Sequence, residues 1–307
     1  MKVIIFGGSG FLGSHVADAL SDAGHEVTIF DVKKSPYMNE SQKFQTGDIL
    51  NIDDLKKAIE GHDIVYHMAG IADIDECHAN PVDTVKLNIL GTTNILQACI
   101  ECKVKKIVFA SSAYVYSDSG SFYRISKQAC ELLIESYQKE FGLDYVILRY
   151  GSLYGPRSDK RNSIYRILTE ALENHEIIYS GTGDEQREFI HVGDAANLSV
   201  KVLEKEYENQ NIILTGNSSI KYRDMLEMIQ EIMHGQIKIE YVEKKSKTHY
   251  KLSPYSFSPK LGRKLVNNPH IDLGQGLLNL IGEIHHNMGT GEQEKFGLLI
   301  KDKNGDK

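Results

Sequence analysis

Proline is scarce in this chain, with six residues among 307, and cysteine is scarcer still, with four. So few prolines beside 26 glycines exclude a collagen-like or low-complexity chain, and 41% hydrophobic with 25% charged residues excludes a wholly disordered one. No apolar run approaches the roughly 18 residues of a membrane-spanning helix. The first residues, Met1-Lys2-Val3-Ile4-Ile5-Phe6, lack the long apolar region and small-residue cleavage site of a secretory leader. Excess positive charge is missing too, since the formal net charge is −7. Binding along a duplex needs a large basic surface, so neither nucleic acid nor a membrane is an expected partner. The composition reads as a soluble, cytoplasmic protein of one large domain or two, at roughly 100–200 residues per domain. A chain of this length buries a substantial core without disulfide or metal staples.

Metal-ligand spacing is equally hard to find. The twelve histidines include no His-Glu-x-x-His pair. Cys99 and Cys102 form a Cys-x-x-Cys inside a long helical pattern, with neither a helix N-terminus nor a second ligand pair nearby. They read as buried or half-buried free thiols. Asp73, Asp75, Glu76 and His78 read as a solvated loop or the start of a helix. No metal is expected.

What is present is alternation. Short β-branched runs at Lys2–Phe6, Glu26–Phe30, Lys43–Thr46, Asp63–His67, Lys106–Ala110 and Tyr145–Arg149 read as strands. Between them, Phe11–Ala23, Ile52–Glu60, Pro81–Cys102 and Tyr123–Phe141 have helical spacing. Pro81 suits a first turn, and Asp53 and Asp54 suit the positive end of a helix dipole. Strands separated by helices imply a doubly wound parallel α/β sheet of Rossmann type. Past Tyr150 the pattern loosens. Ser163–Glu173, Val192–Glu206 and Tyr222–His234 read as helices, and Ile177–Tyr179, Ile212–Leu214 and Ile237–Val242 as short strands. The division expected is a dinucleotide-binding domain over 1–150, a smaller α+β lobe over 151–287, and a polar, mobile tail over 288–307.

Gly7-Gly8-Ser9-Gly10-Phe11-Leu12-Gly13 lies between the first strand and the first helix. The spacing Gly7-x-x-Gly10-x-x-Gly13 gives a tight turn, lets backbone approach a diphosphate and lets the helix pack closely. The free N–H groups of the first helical turn then face the phosphates. Strand, turn, helix and second strand in that order make the motif specific. Asp31 follows Gly13 by 18 residues, at the end of the second strand. A carboxylate there accepts hydrogen bonds from the adenosine ribose hydroxyls and repels a 2′-phosphate, which predicts NAD. Lys33 and Lys34 leave NADP as the alternative.

Tyr123-Arg124-Ile125-Ser126-Lys127 opens a predicted helix, so Tyr123 and Lys127 share a face. An ammonium beside a phenol favours the phenolate, which turns a tyrosine into a base near neutral pH. The strand before it ends Phe109-Ala110-Ser111-Ser112-Ala113-Tyr114-Val115-Tyr116. Ser112 falls at the carboxyl edge of the sheet, where ligands of such folds bind.

These motifs together make the chain resemble the extended short-chain dehydrogenase/reductase superfamily, and within it the NAD-dependent nucleotide-sugar epimerase/dehydratase family. The resemblance covers roughly residues 1–280. Besides the glycine loop, Asp31 and Tyr123-x-x-x-Lys127, it rests on Gly47-Asp48-Ile49, His67-Met68-Ala69-Gly70, Asn88-Ile89-Leu90-Gly91-Thr92, Ser111–Tyr116, Leu148-Arg149-Tyr150, Tyr154-Gly155-Pro156-Arg157 and Arg187–Val192. It implies catalysis by Ser112, Tyr123 and Lys127. It implies NAD contacts from Gly7, Gly10, Phe11, Leu12, Gly13, Asp31, Asp48, Ile49, Ala69, Gly70, Asn88, Ser111, Tyr123, Lys127 and Tyr150, the last near the nicotinamide. Ser112, Ser152 and Arg187 would meet a nucleotide-diphosphate sugar, Arg187 through the diphosphate. A homodimer through helices 81–102 and 123–141 is also implied.

The positions after Ser112 bear on the reaction. Dehydratases and uronic-acid decarboxylases of the family carry an acidic residue two positions after this serine; here Ala113 and Tyr114 follow. The enzymes that invert C3 and C5 carry a cysteine near this strand end, and none is present. The resemblance is closest to the UDP-hexose 4-epimerases, which work through a transient 4-keto sugar. A nucleotide-sugar 4-dehydrogenase or 4-ketoreductase is the alternative, and a non-catalytic NAD-binding regulator a further one. Three departures stand out. Ser117-Asp118-Ser119-Gly120-Ser121 is a short link before Tyr123, which implies a more open sugar pocket. Ser152 replaces a usual asparagine. Thr248–Tyr255 replaces a usual diphosphate clamp, with His249 and Lys251 as the residues able to touch phosphate.

Overall fold

The apolar run Lys2–Phe6 is β1 and the glycine loop leads from it into α1, Phe11–Asp22. This is the opening of a computed structural model in which residues 1–242 are described. Next come β2 (Glu26–Asp31), β3 (Lys43–Thr46), α2 (Ile52–Ile59) and β4 (Ile64–His67). Asn51 caps α2 by accepting hydrogen bonds from the Asp53 and Asp54 N–H groups. A short helix, α3 (Ile74–Ala79), begins at Asp73, whose carboxylate accepts from Glu76 N at 2.7 Å. The cluster Asp73–His78 is thus a capped helix packed on the site described below.

The expected single helix over Pro81–Cys102 has three parts: α4 (Pro81–Thr84), a π-helical turn (Val85–Leu90) and α5 (Gly91–Glu101). The wider turn accompanies an inward-facing, buried Asn88. Then follow β5 (Lys106–Ser112), a 3₁₀ turn (Ala113–Tyr116), α6 (Ser121–Phe141) and β6 (Asp144–Tyr150). Both ends of α6 are marked by left-handed glycines, Gly120 (φ 100°) and Gly142 (φ 73°).

The remaining described elements are β7 (Ser152–Tyr154), α7 (Ser163–Asn174), β8 (Glu176–Ser180), β9 (Gln186–Arg187), β10 (Phe189–His191), α8 (Val192–Lys201), β11 (Gln210–Leu214), β12 (Ile220–Lys221), α9 (Tyr222–Ile232) and β13 (Lys238–Val242). Seven strands form one parallel sheet in the order β11-β6-β5-β4-β1-β2-β3. This is the doubly wound fold the alternation predicts. Ile212–Leu214, expected in the smaller lobe, instead belongs to β11 at the edge of this sheet, with Leu214 opposite Tyr150. Its parallel pairing with β6 requires a crossover, and α8 packed against α1 supplies it. Around α7 and α9 a separate apolar cluster forms, including Ile167, Ala171, Ile177, Leu226 and Ile229. The tail over 288–307 and the residues His249 and Lys251 lie outside the described residues. Among the described residues, no helix is long and apolar enough to cross a membrane.

One core fills each face of the sheet. Ile4, Phe6, Val65, Ile107, Phe109 and Ile147 face the side that holds α2, α5 and α6. Val3, Ile5, Tyr66, Val108, Leu148 and Tyr150 face the side that holds α1 and α8. Alternation along each strand produces this division. Tyr66 carries a hydroxyl into the second core, where it donates to Ser199 O at 2.7 Å. Ser199 sits in the last turn of α8, where carbonyls have no partner within the helix. Tyr66→Phe leaves that buried carbonyl unpaired, and we expect a loss of about 1–3 kcal/mol in unfolding free energy, measured by urea denaturation.

Candidate active site

The loop between β1 and α1 has little room for side chains. Gly7 has φ +78°, and a Cβ there would lie 2.6 Å from the backbone nitrogen of Ala69. At Gly13 a Cβ would strike the Gly7 carbonyl oxygen. No side chain caps α1 and its first turn holds no acidic residue, so its leading N–H groups remain available to an anion. Ser9 Oγ is buried with no hydrogen-bond partner. Asp31, at the end of β2, accepts from Ser9 N at 3.0 Å and from Val32 N at 2.8 Å. The loop and a carboxylate are therefore tied together, an arrangement that fits a dinucleotide with its diphosphate at the helix end and its ribose at Asp31. Phe11 meets the His15 ring edge-on at 6.2 Å, and Leu12 packs on the core of that face.

Farther along the sheet edge, Asp48 accepts from Leu50 N at 2.9 Å. Ile49 is buried under Gly91, where a Cβ would come within 2.6 Å of its side chain. Ala69 and Gly70 follow β4. Asn88 braces them: its Oδ1 accepts from Ile71 N at 2.8 Å, and its Nδ2 donates to Ile71 O at 3.0 Å and Ser126 Oγ at 2.9 Å. The π turn thus delivers one amide that joins the loop after β4 to α6.

Ser112, Tyr123 and Lys127 are all buried or nearly so, at 7%, 8% and 7% exposure. Lys127 Nζ donates to Ala110 O at 2.7 Å and lies 4.8 Å from the Phe109 ring centre and 5.8 Å from that of Tyr123. Burial lowers the pKa of Lys127; Cys130, Cys77 and Glu131 act in the opposite direction. Tyr123 packs with Ile74 and Cys77 of α3, and the Tyr114 ring meets it edge-on at 6.2 Å. Ser112 Oγ accepts from Tyr114 N at 3.3 Å. The short link before α6 folds back on that helix: Arg124 donates to Ser117 O at 2.9 Å and Gln128 to Val115 O at 2.7 Å. All four cysteines are free, with Cys99 buried and Cys102 half-buried.

The other candidate residues are placed as follows. Ser111 turns its hydroxyl to the face opposite Ser112 and donates to Glu131 Oε1 at 2.5 Å. The Tyr150 hydroxyl lies in the core 2.6 Å from Ser199 Oγ. Ser199 spends its own proton on Ala195 O, so Tyr150 is the donor. Ser152 begins β7, with its N–H donating to Glu188 O at 3.2 Å. Arg187 is buried at the end of β9, donating to Gln186 O at 2.7 Å with its guanidinium 5.6 Å from the Tyr222 ring centre. Arg157, in the motif after β7, pairs with Asp18 of α1 at 2.7 Å and lies over the Tyr37 ring.

His67 ends β4 wholly inside the protein, with Nε2 2.8 Å from Thr92 Oγ1 and its ring 5.3 Å from that of Phe109. Burial, helped by the positive Lys127, pulls its pKa from 6.5 down to about 3. Below pH 6.5 the unfolded chain takes the extra proton while the folded chain does not. The stability held by neutral His67 is therefore complete above that pH and lost as pH falls toward 3. From pH 7 to pH 5 the loss through this group is roughly 2 kcal/mol. Urea unfolding at both pH values checks it, and His67→Gln is expected to remove that share of the pH dependence.

Residues 3–215 match the family model described as the NAD dependent epimerase/dehydratase family. The chain is 28% identical to a putative UDP-glucose 4-epimerase of Methanocaldococcus jannaschii, over 94% of this chain and 100% of that one. It is 29% identical to a UDP-N-acetyl-alpha-D-glucosaminuronate decarboxylase of Bacillus cytotoxicus, over 91% of this chain and 96% of the relative. Among solved structures, it resembles a UDP-glucuronic acid 4-epimerase from Bacillus cereus in complex with UDP-glucuronic acid and NAD. That match has 26% identity and a TM-score of 0.76, covering 85% of this chain and 95% of the other. A family match that runs from β1 through β11 takes in the whole main sheet and its carboxyl edge, and the chain belongs to the NAD-dependent epimerase/dehydratase family, as an enzyme whose cofactor is NAD.

Proposed function

We propose that the enzyme is a nucleotide-sugar 4-epimerase of the UDP-hexose type, working through a transient 4-keto sugar. The observation that carries this reading is the pair Ala113 and Tyr114 directly after Ser112, where an elimination or decarboxylation would call for a carboxylate. Ala113 is buried and Tyr114 turns its ring toward Tyr123, so neither supplies a carboxylate. Tyr123 takes the proton of the sugar C4 hydroxyl. The Lys127 ammonium, held by Ala110 O, stabilises negative charge on that phenol. Ser112 donates to the same sugar oxygen and holds it in line with Tyr123. NAD, when bound, supplies the hydride chemistry at C4. Once the keto sugar has turned over in the site, Tyr123 returns its proton, and no reduced cofactor accumulates.

Gly7, Gly10, Gly13 and Asp31 hold the cofactor diphosphate and ribose in this reading. Asp48, Ile49, Ala69 and Gly70 line its path. Ser152 and Arg187 meet the nucleotide sugar, Arg187 as the cation for its diphosphate. Of the described residues, those from 151 to 242 contribute to the substrate lobe, except α8 and β11, which serve the main sheet. Two copies associate through the helices at 81–102 and 123–141, whose exposed side chains include Val82, Val85, Ile125 and Leu132. Free thiols at all four cysteines suit a cytoplasmic enzyme.

Incubation with NAD and UDP-, dTDP-, GDP- or CDP-hexoses, followed by NMR and by absorbance of reduced nicotinamide, tests this reading. The expected result is a C4-inverted sugar with no net reduced cofactor. A keto product with net reduction, or release of carbon dioxide from a uronic acid, would overturn it. Tyr123→Phe is expected to lower turnover by about 10²–10⁴-fold.

A further inference from the structure

Behind Ser112 lies a buried polar network that the proposed chemistry does not use. Glu131 stands one helical turn beyond Lys127 on α6, and only 6% of it is exposed. Arg149 Nε donates to Glu131 Oε1 at 3.0 Å and its Nη2 to Oε2 at 2.6 Å, a bidentate pair. Ser111 Oγ donates to Oε1 of the same carboxylate at 2.5 Å. From its other side, Arg149 Nη1 donates to the Tyr116 hydroxyl at 2.5 Å, with the guanidinium 4.8 Å from that ring's centre. Ser111 and Arg149 are direct partners across β5 and β6.

The arrangement brackets Ser112. Ser111 precedes it, and Tyr116 ends the 3₁₀ turn that follows it. Two rungs join α6 to the end of β5: Lys127 to Ala110, and Glu131 to Ser111. Tyr123 rides on that helix and Ser112 on that strand, so the rungs set their separation. Catalytic groups need placement within about 0.5 Å, supplied by supporting hydrogen bonds of this kind. We propose that Glu131, through Ser111 and Arg149, is a positioning residue that holds Ser112 in register with Tyr123. This rests on the reading of Ser112 and Tyr123 as the reacting pair.

The test uses the full chain with NAD. Glu131→Gln leaves Arg149 buried without its countercharge, so that variant loses stability as well as geometry. The double variant Glu131→Leu/Arg149→Met removes both charges, and its melting temperature is expected to return close to that of the wild type. Its kcat is nonetheless expected to stay lower by about 10–100-fold, as a displacement near 1 Å produces, with the sugar KM and the NAD Kd changed less than about twofold. Recovery of kcat along with melting temperature would overturn the proposal, as would a Kd for NAD that rises in step with the lost kcat. Crystal structures of wild type and double variant provide a readout that needs no substrate. The distance from Ser112 Oγ to Tyr123 Oη is expected to change by about 0.5 Å or more, and an unchanged distance would overturn the proposal. Wild-type enzyme inert toward every nucleotide sugar would instead reject the epimerase reading, leaving the structural result to decide the role of Glu131.

Discussion

A charge taken out of water must be compensated where it lies, and the centre of this molecule is organised by that demand. Lys127, Glu131 and Arg149 are all largely shielded from solvent around the end of β5. Lys127 is answered by a backbone carbonyl and two aromatic faces, Glu131 by a bidentate guanidinium and a serine hydroxyl. Each answer also fixes a distance. The helix that carries Tyr123 is thereby held to the strand that carries Ser112, and neither can slide without exposing or stranding a charge.

The same economy runs along the sheet edge. The π turn accompanies the inward turn of Asn88, and the Asn88 amide secures the segment after β4 to Ser126 of α6. Thr92 Oγ1, one turn on, meets both the Asn88 carbonyl and His67. A chain of short contacts therefore links β4, the 85–90 turn and α6 across the edge where Ser112 stands. On the opposite face, Tyr66 and Tyr150 close around Ser199 and bind α8 to the sheet. That contact explains why a helix from the second half of the chain belongs with the first half's core.

Relatives named as an epimerase and as a decarboxylase stand at nearly equal identity to this chain. Directly after Ser112 stand the buried methyl of Ala113 and the ring of Tyr114, with Gly120 too close to that ring to carry a side chain.

The amino-acid sequence by itself determined the alternation of strand and helix in the first half, the parallel sheet, the glycine loop with its distal Asp31, and the shared helix face of Tyr123 and Lys127. These are local matters. Periodicity of two or of 3.6, a glycine at a required turn and an i,i+4 spacing are all legible within a few residues. Tertiary structure alone decided the rest. Ile212–Leu214 has an ordinary strand pattern, and only the packing of α8 on α1 assigns it to the edge of the main sheet. Ser111 and Ser112 are adjacent and alike, yet strand alternation sends one hydroxyl to Glu131 and leaves the other on the opposite face. Arg149 and Tyr150 read as motif residues, and their side chains are committed to partners 18 and 49 positions away. Nothing in a linear spacing identifies such partners, because the energy that selects them is the compensation of buried charge and buried hydroxyl, which exists only after the core has closed.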